Sequence, residues 1–251
     1  MRAPGAELGW LGGVRLGLAQ TALGAIVVLA TNVFNRVMIV EWALPALLPG
    51  ALIAWHYAIQ ISRPRWGHSA DVSRRRAVWI VGGVGVLGIG VTLAAYATGL
   101  MGASPAAGVA LSALAFAIIG LGVGAGGTAS LSVVAARTPT RRHGAAAATV
   151  WIMMIFGMAV TAKTAGGFLD PFSPERLLAV TAIVAFAATA LSALAVAPEL
   201  FSPAGLAPPE IAAAPKPPFR DALAAVLADP VAFRFAIFVF VSMVAYSMQD
   251  P

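Results

Sequence analysis

Six apolar runs, each close to membrane length, are set apart along this chain by short polar segments. They cover about 16–33, 43–61, 77–100, 106–136, 145–168 and 177–196. About 20 consecutive apolar residues are needed for a helix to cross the hydrocarbon core of a bilayer. In that medium the backbone must satisfy its own hydrogen bonds, which leaves only helices and closed barrels. The runs are continuous blocks rather than period-two alternations, so they predict helices. Only 10% of the 251 residues are charged and 60% are hydrophobic. Soluble domains carry roughly 25% charged residues, and a fold with so few would have no polar surface. The predicted fold class is all-α and integral to the membrane, with a six-helix bundle over 1–198.

Charge placement gives an orientation. The segment after the second run, Ser62-Arg-Pro-Arg-Trp-Gly-His-Ser-Ala-Asp-Val-Ser-Arg-Arg-Arg76, holds five arginines and reads as a tight loop. The loop after the fourth run adds Arg137, Arg141 and Arg142, while the intervening loops hold only Arg36 and Arg176. Positive residues concentrate on the cytoplasmic side of membrane proteins, so the N-terminus is expected in the cytoplasm. Arg36 lies 21 residues beyond Arg15, roughly 31 Å along a helix. It should therefore reach the opposite interface, close enough to Glu41 for the two charges to offset. The basic pI of about 10.8 is explained by these loops, and nucleic acid is not an expected partner. There is no cysteine, which excludes disulfides and thiolate metal sites.

The Pro- and Ala-rich stretch 201–218 reads as a linker, within a predicted cytoplasmic segment 199–233. That segment includes a short amphipathic piece in which Phe219, Leu223, Val226 and Leu227 recur at helical spacing. A seventh helix is expected to start over 234–251, where the chain stops with an apolar stretch too short to span.

Polar residues inside spans are functional candidates by default. His56 falls roughly 10 Å inside the predicted cytoplasmic boundary at Arg63, on the helical rise. Gln20, Thr21, Gln60, Thr128 and Ser130 lie on the same side of the bilayer and could line a cavity. Isolated Ser and Thr more often bond back to their own helix. No Asp or Glu falls deep within the six runs. Two Gly-x-Gly-x-x-Gly matches start at Gly83 and Gly122. Both sit inside apolar runs with no strand before them, so nucleotide binding is excluded. Their four-residue spacings (Gly120 and Gly124; Gly122 and Gly126) predict close helix contact instead. No nucleophile elbow, metal cluster or acid–base pair is visible, and an enzyme is not expected.

The loop sequence Gly67-x-x-x-Asp71 followed by Arg75-Arg76 resembles the loop motif of the major facilitator superfamily. It departs at Val72 and Arg74, where that motif has a basic residue and a glycine. The resemblance implies two three-helix repeats of opposite topology. It also implies a conformational role for Gly67, Asp71, Arg75 and Arg76, with Arg137 as a partner for Asp71. A narrower likeness rests on Asn35-Arg-Val-Met-Ile-Val-Glu41, Ala43-Leu-Pro-Ala-Leu-Leu-Pro-Gly50, His56-Tyr57, Ser62-Arg-Pro-Arg-Trp-Gly-His68 and Ala245-Tyr-Ser-Met-Gln-Asp250. These resemble the PucC/LhaA family of facilitator-like proteins from phototrophic bacteria. What that resemblance implies is a non-enzymatic factor in the bacterial inner or intracytoplasmic photosynthetic membrane. It would assemble light-harvesting antenna polypeptides and handle bacteriochlorophyll, with His56, Gln20, Gln60 and Thr128 as the candidate pigment contacts. A neutral imidazole can ligate a metal centre, including the magnesium of a chlorin. The alternative is a secondary transporter of a small amphiphile.

Overall fold

The computed structural model of the chain describes residues 8–73, 76–200 and 218–247, without the side chains of 71, 72, 199 and 243–247. Arg74 and Arg75, the Pro-rich stretch 201–217 and the closing Gln249 and Asp250 lie outside the described residues, as does the side chain of Asp71. All regular structure among the described residues is helical. Five helices are long and apolar enough to cross a membrane, or six if one sharply bent pair is counted as a single span.

The first helix is longer than its apolar run. α1 (Trp10–Val28) continues through a π-turn (Leu29–Val33), a single turn α2 (Phe34–Arg36) and a second π-turn (Val37–Glu41). Together these make a 32-residue candidate span. The wider π pitch pairs residues five apart, which brings Arg36 Nη1 to 3.7 Å from Glu41 Oε1. The expected offset of these two charges is thus present, but inside a continuing helix. Ala43 then takes a left-handed backbone, φ 49°, and Leu44 N–H donates back to the Met38 carbonyl at 2.9 Å. Pro45 follows and cannot extend the helix.

The second predicted run is corrected. Its α-helix, α3 (Leu47–Ile59), has only 13 residues, because the Ala43–Pro45 turn delays its start. The predicted tight loop is also corrected, since most of it is helix. A 3₁₀ turn (Gln60–Ser62) leads straight into α4 (Arg63–Val72), with Pro64 in its first turn, a position where the missing N–H costs nothing. Ser62 Oγ donates to the Ile59 carbonyl at 2.7 Å and accepts from Trp66 Nε1 at 2.9 Å, which pins the junction. The backbone becomes extended only at Ser73, ψ 133°.

The remaining elements follow their apolar runs closely. They are α5 (Arg76–Leu100), α6 (Pro105–Arg137), α7 (His143–Phe168), α8 (Pro174–Ala195) and the short α9 (Ala197–Leu200). By contacts the chain forms two units, Met1–Ala212 and Ala213–Pro251. The second contains α10 (Phe219–Ala228) and α11 (Pro230–Ser247).

In the first unit α6 is the axis, and small residues set its neighbours. A Cβ built on Gly120 would meet the His56 carbonyl at 2.7 Å, and one on Gly124 would meet Trp66 Cδ1 at 3.4 Å. One turn on, a Cβ on Gly67 would lie 3.0 Å from Thr128 Cγ2. These three contacts, four residues apart on α6, seat the whole α3–α4 rod. Gly122 and Gly126 lie on another side and receive α5 at Gly83, Val84 and Leu87. Gly127 faces Leu23 of α1. In lipid there is no hydrophobic drive between helices, so close backbone approach through small residues is what holds them together. Both glycine motifs are therefore packing seams. On α7, Gly157 packs on the Thr21 carbonyl of α1, whereas Gly166 and Gly167 have nothing within 4 Å. The principal helix pairs are α5–α6, α1–α7, α5–α8, α1–α8, α3–α6, α4–α6 and α1–α6.

Candidate functional site

The polar candidates divide between two helices and the axis. His56 and Gln60 sit one turn apart at the end of the α3 rod, and both are buried. Gln60 Nε2 lies 2.6 Å from His56 Nε2. Gln20 is buried on α1, and Ser130 is buried on α6 without a hydrogen-bond partner for its hydroxyl. Thr128 is half-buried and packs against Gly67 of α4, away from His56, which meets α6 two turns earlier at Gly120. Thr21 bonds back to its own helix and across to α7, its hydroxyl lying 3.1 Å from Gly17 O and 3.0 Å from Met153 O. The structure thus pairs His56 with Gln60 and places Thr128 on a different contact of the same seam.

The chemistry of the His56–Gln60 pair turns on one atom. As placed, the Gln60 amide donates to Nε2, so the imidazole proton resides on Nδ1. The amide turned over would present its oxygen instead, accept from Nε2–H and leave a bare lone pair on Nδ1. In both arrangements Nδ1 is buried and without a protein partner. A buried polar atom left unmet costs about 1–3 kcal/mol. With the amide turned over, that orphaned nitrogen suits a metal ligand and Gln60 would hold the ring in the ligating tautomer, whereas with the amide as placed Nδ1 carries the proton and is a donor. The imidazole is only 3% exposed, so a ligand could reach Nδ1 only if the side chains covering the ring moved. The Tyr57 ring lies beside it, with centroids 5.0 Å apart, and is itself exposed on the outer surface.

The loop motif resolves into separate roles. Gly67 is the small residue that lets α4 lie on Thr128. Arg76 opens α5 and is 2% exposed, among the largest fully buried side chains. Arg137 ends α6, and its carbonyl accepts from Leu8 N–H at 2.8 Å. Arg75 and the Asp71 carboxylate lie outside the described residues.

One cluster escaped the sequence reading. Arg142 Nη2 donates to the Leu8 carbonyl at 3.1 Å, and its guanidinium lies 5.7 Å from the centroid of the Trp10 ring. With the Leu8–Arg137 bond, this clamps the start of α1 to the α6–α7 connection. Only the positive charge of that loop was visible in the sequence, not what it would grip.

These features define a multi-pass helical membrane protein whose helices are joined through glycine seams. Residues 33–251 match the family described as PUCC protein, and the chain belongs to that family. The "Bacteriochlorophyll synthase 44.5 kDa chain" of Rhodobacter capsulatus is 46% identical over 246 residues, covering 97% of this chain and 56% of that protein. An "Uncharacterized protein in puhA-bchM intergenic region" of Rhodobacter capsulatus is 29% identical over 251 residues, covering 94% of this chain and 51% of the relative. "Protein PucC" of Rhodobacter capsulatus is 28% identical over 191 residues, covering 71% of this chain and 41% of its own length. The chain thus spans about half the length of the curated relatives it matches. No solved structure matches it.

Proposed function

We propose that this chain serves as a non-enzymatic membrane assembly factor for bacterial light-harvesting complexes, handling bacteriochlorophyll for the antenna polypeptides. The observation that carries the reading is the family match over residues 33–251. The name of the 46% identical relative ties that protein to bacteriochlorophyll. It also calls that relative a synthase chain, and the non-enzymatic role belongs to this proposal. In this reading His56 would hold the pigment, Gln60 would orient the ring, and the pigment would bring its own metal centre. Gln20 and Thr128 remain secondary candidates.

A facilitator-type arrangement, with the N-terminus cytoplasmic, belongs to the same proposal. Exchanging α1 with α6, α3 with α7 and α5 with α8 maps α5–α6 onto α1–α8, α1–α7 onto α3–α6, and α5–α8 and α1–α6 onto themselves, while α4–α6 has no counterpart. Two three-helix repeats would produce that pattern. It equally favours the alternative reading, transport of a small amphiphile.

The deciding experiment compares wild type, His56→Ala and Gln60→Ala at equal expression in a phototroph. Pigment recovered with the purified protein should fall sharply in His56→Ala and partly in Gln60→Ala. Unchanged pigment in His56→Ala would overturn the ligand assignment, and normal antenna absorbance in a deletion strain would overturn the assembly role. Uptake of an amphiphile by proteoliposomes, with antenna assembly intact in the deletion strain, would establish the transporter instead.

A further inference from the structure

The segment 218–247 is two helices hinged at a single residue. α10 ends at Ala228 and α11 begins at Pro230, and their axes differ by 90°. The dipeptide Asp229-Pro230 encodes this break. A residue before proline is pushed out of the helical region, and Asp229 is extended at ψ 114°. Pro230 then occupies the first position of α11, where it is favoured. The Asp229 carboxylate accepts from the amides of Val231 at 2.8 Å and Ala232 at 3.4 Å, capping the new helix. The bend is therefore built in rather than a frayed end.

The two helices differ in how their apolar residues are arranged. At about 100° per residue, Phe219, Leu223, Val226 and Leu227 of α10 share one arc, with Arg220 at its edge and Asp221 opposite. On α11, Phe233, Phe235, Phe238, Val239, Phe240 and Val241 are exposed on every side of the helix. A helix apolar all round suits lipid on all sides, whereas a one-sided helix suits the bilayer surface. α11 has 18 residues, roughly 27 Å of rise, close to the ~30 Å hydrocarbon thickness. Its one described charge, Arg234, is in the second turn, within reach of the headgroups.

We propose that α10 lies in the plane of the bilayer surface, with Phe219, Leu223, Val226 and Leu227 at the acyl–headgroup boundary, and that the chain turns at Asp229 to send α11 along the membrane normal. The partner of this face is the lipid surface. Arg220 and Asp221 cancel, so the attachment rests on apolar contact and needs no anionic lipid.

The absence of native cysteine makes single-cysteine spin labelling of the full chain direct. Leu223, Val226 and Leu227 are exposed in the protein, so labels there leave the core packing intact. The chain is reconstituted in phosphatidylcholine vesicles, with and without phosphatidylglycerol, and labels at 219–228 are probed with oxygen and a water-soluble nickel complex. The expected result is a helical period, with the oxygen-to-nickel ratio severalfold higher at Leu223 and Leu227 than at Asp221 and Ala224, the same in both vesicles. High oxygen access at every position would mean that α10 and α11 form one broken span and would overturn the proposal. High nickel access at every position, or exclusion of both reagents at Leu223 and Leu227, would overturn it in favour of solvent or a protein partner. A period that appears only with phosphatidylglycerol would overturn the lipid-charge independence and with it the apolar mechanism.

Discussion

Substituting alanine for Gly122 is the sharpest test of the α5–α6 seam. A Cβ there would lie 2.7 Å from Leu87 Cα and 2.8 Å from the Gly83 carbonyl oxygen. Ordinary contacts begin at 3.4 Å, so both neighbours would have to retreat by more than half an ångström. Both are backbone atoms, and neither can rotate away as a side chain could. Forcing one carbon into a packed interface costs about 1–3 kcal/mol. The same substitution recovers about 0.8–1 kcal/mol of helix propensity. The net expectation is a loss of about 1–2 kcal/mol, the clash being with two backbones at once. Gly82→Ala is the control, because a Cβ at Gly82 meets nothing within 4 Å, and only the propensity gain of up to about 1 kcal/mol remains. Thermal unfolding in detergent, followed by far-UV circular dichroism, should move the two variants in opposite directions. A chain of this size shifts by about 2–4 °C per kcal/mol. If Gly122→Ala is as stable as Gly82→Ala, the helices do not meet through backbone contact and the packing argument for α6 fails.

Ala43 holds a backbone conformation that L-residues adopt at a cost of roughly 1–2 kcal/mol, so Ala43→Gly should raise the melting temperature and Ala43→Val should lower it. Asp229→Ala removes the cap of α11 and should cost that helix about 1 kcal/mol, seen as faster hydrogen exchange at Val231 and Ala232, with Asp229→Asn restoring most of the protection. Arg142→Ala removes one charge-assisted hydrogen bond and one cation–π contact, together about 1–3 kcal/mol. Faster exchange should then be confined to the first turns of α1, and protection equal to wild type there would show that the clamp contributes nothing.

Much of the architecture was legible in the chain. For α5, α6, α7 and α8 the ends of the apolar runs and the ends of the helices agree within about three residues, because the bilayer requirement acts locally on every backbone group. The glycine spacings on α6 were correctly read as contact faces, although not which helix each face would meet. Reading failed where polar residues continue a helix. Arg63, His68 and Asp71 looked like loop residues, yet α3 runs on into α4 because α6 supplies a glycine floor beneath it. Arg36 looked like a helix end, yet two π-turns carry the helix on to Glu41. Of the candidate site, His56 was singled out by its place within a span. The Gln60 partner was legible only as another polar residue one turn away, and the unmet Nδ1 could not be read at all.

By itself the sequence determined that the chain is a helical membrane protein, where α5, α6, α7 and α8 begin and end, and, through its motifs, the family to which it belongs. These follow from composition and spacing, which the solvent reads residue by residue. Only the tertiary structure decided which glycine meets which backbone, that the basic segment is a helix seated on Thr128, and that one imidazole nitrogen is buried without a partner. The seams depend on atoms far apart in the chain, 35 residues for Gly122 and Leu87 and 61 for Gly67 and Thr128, and no local pattern records who will stand across a seam.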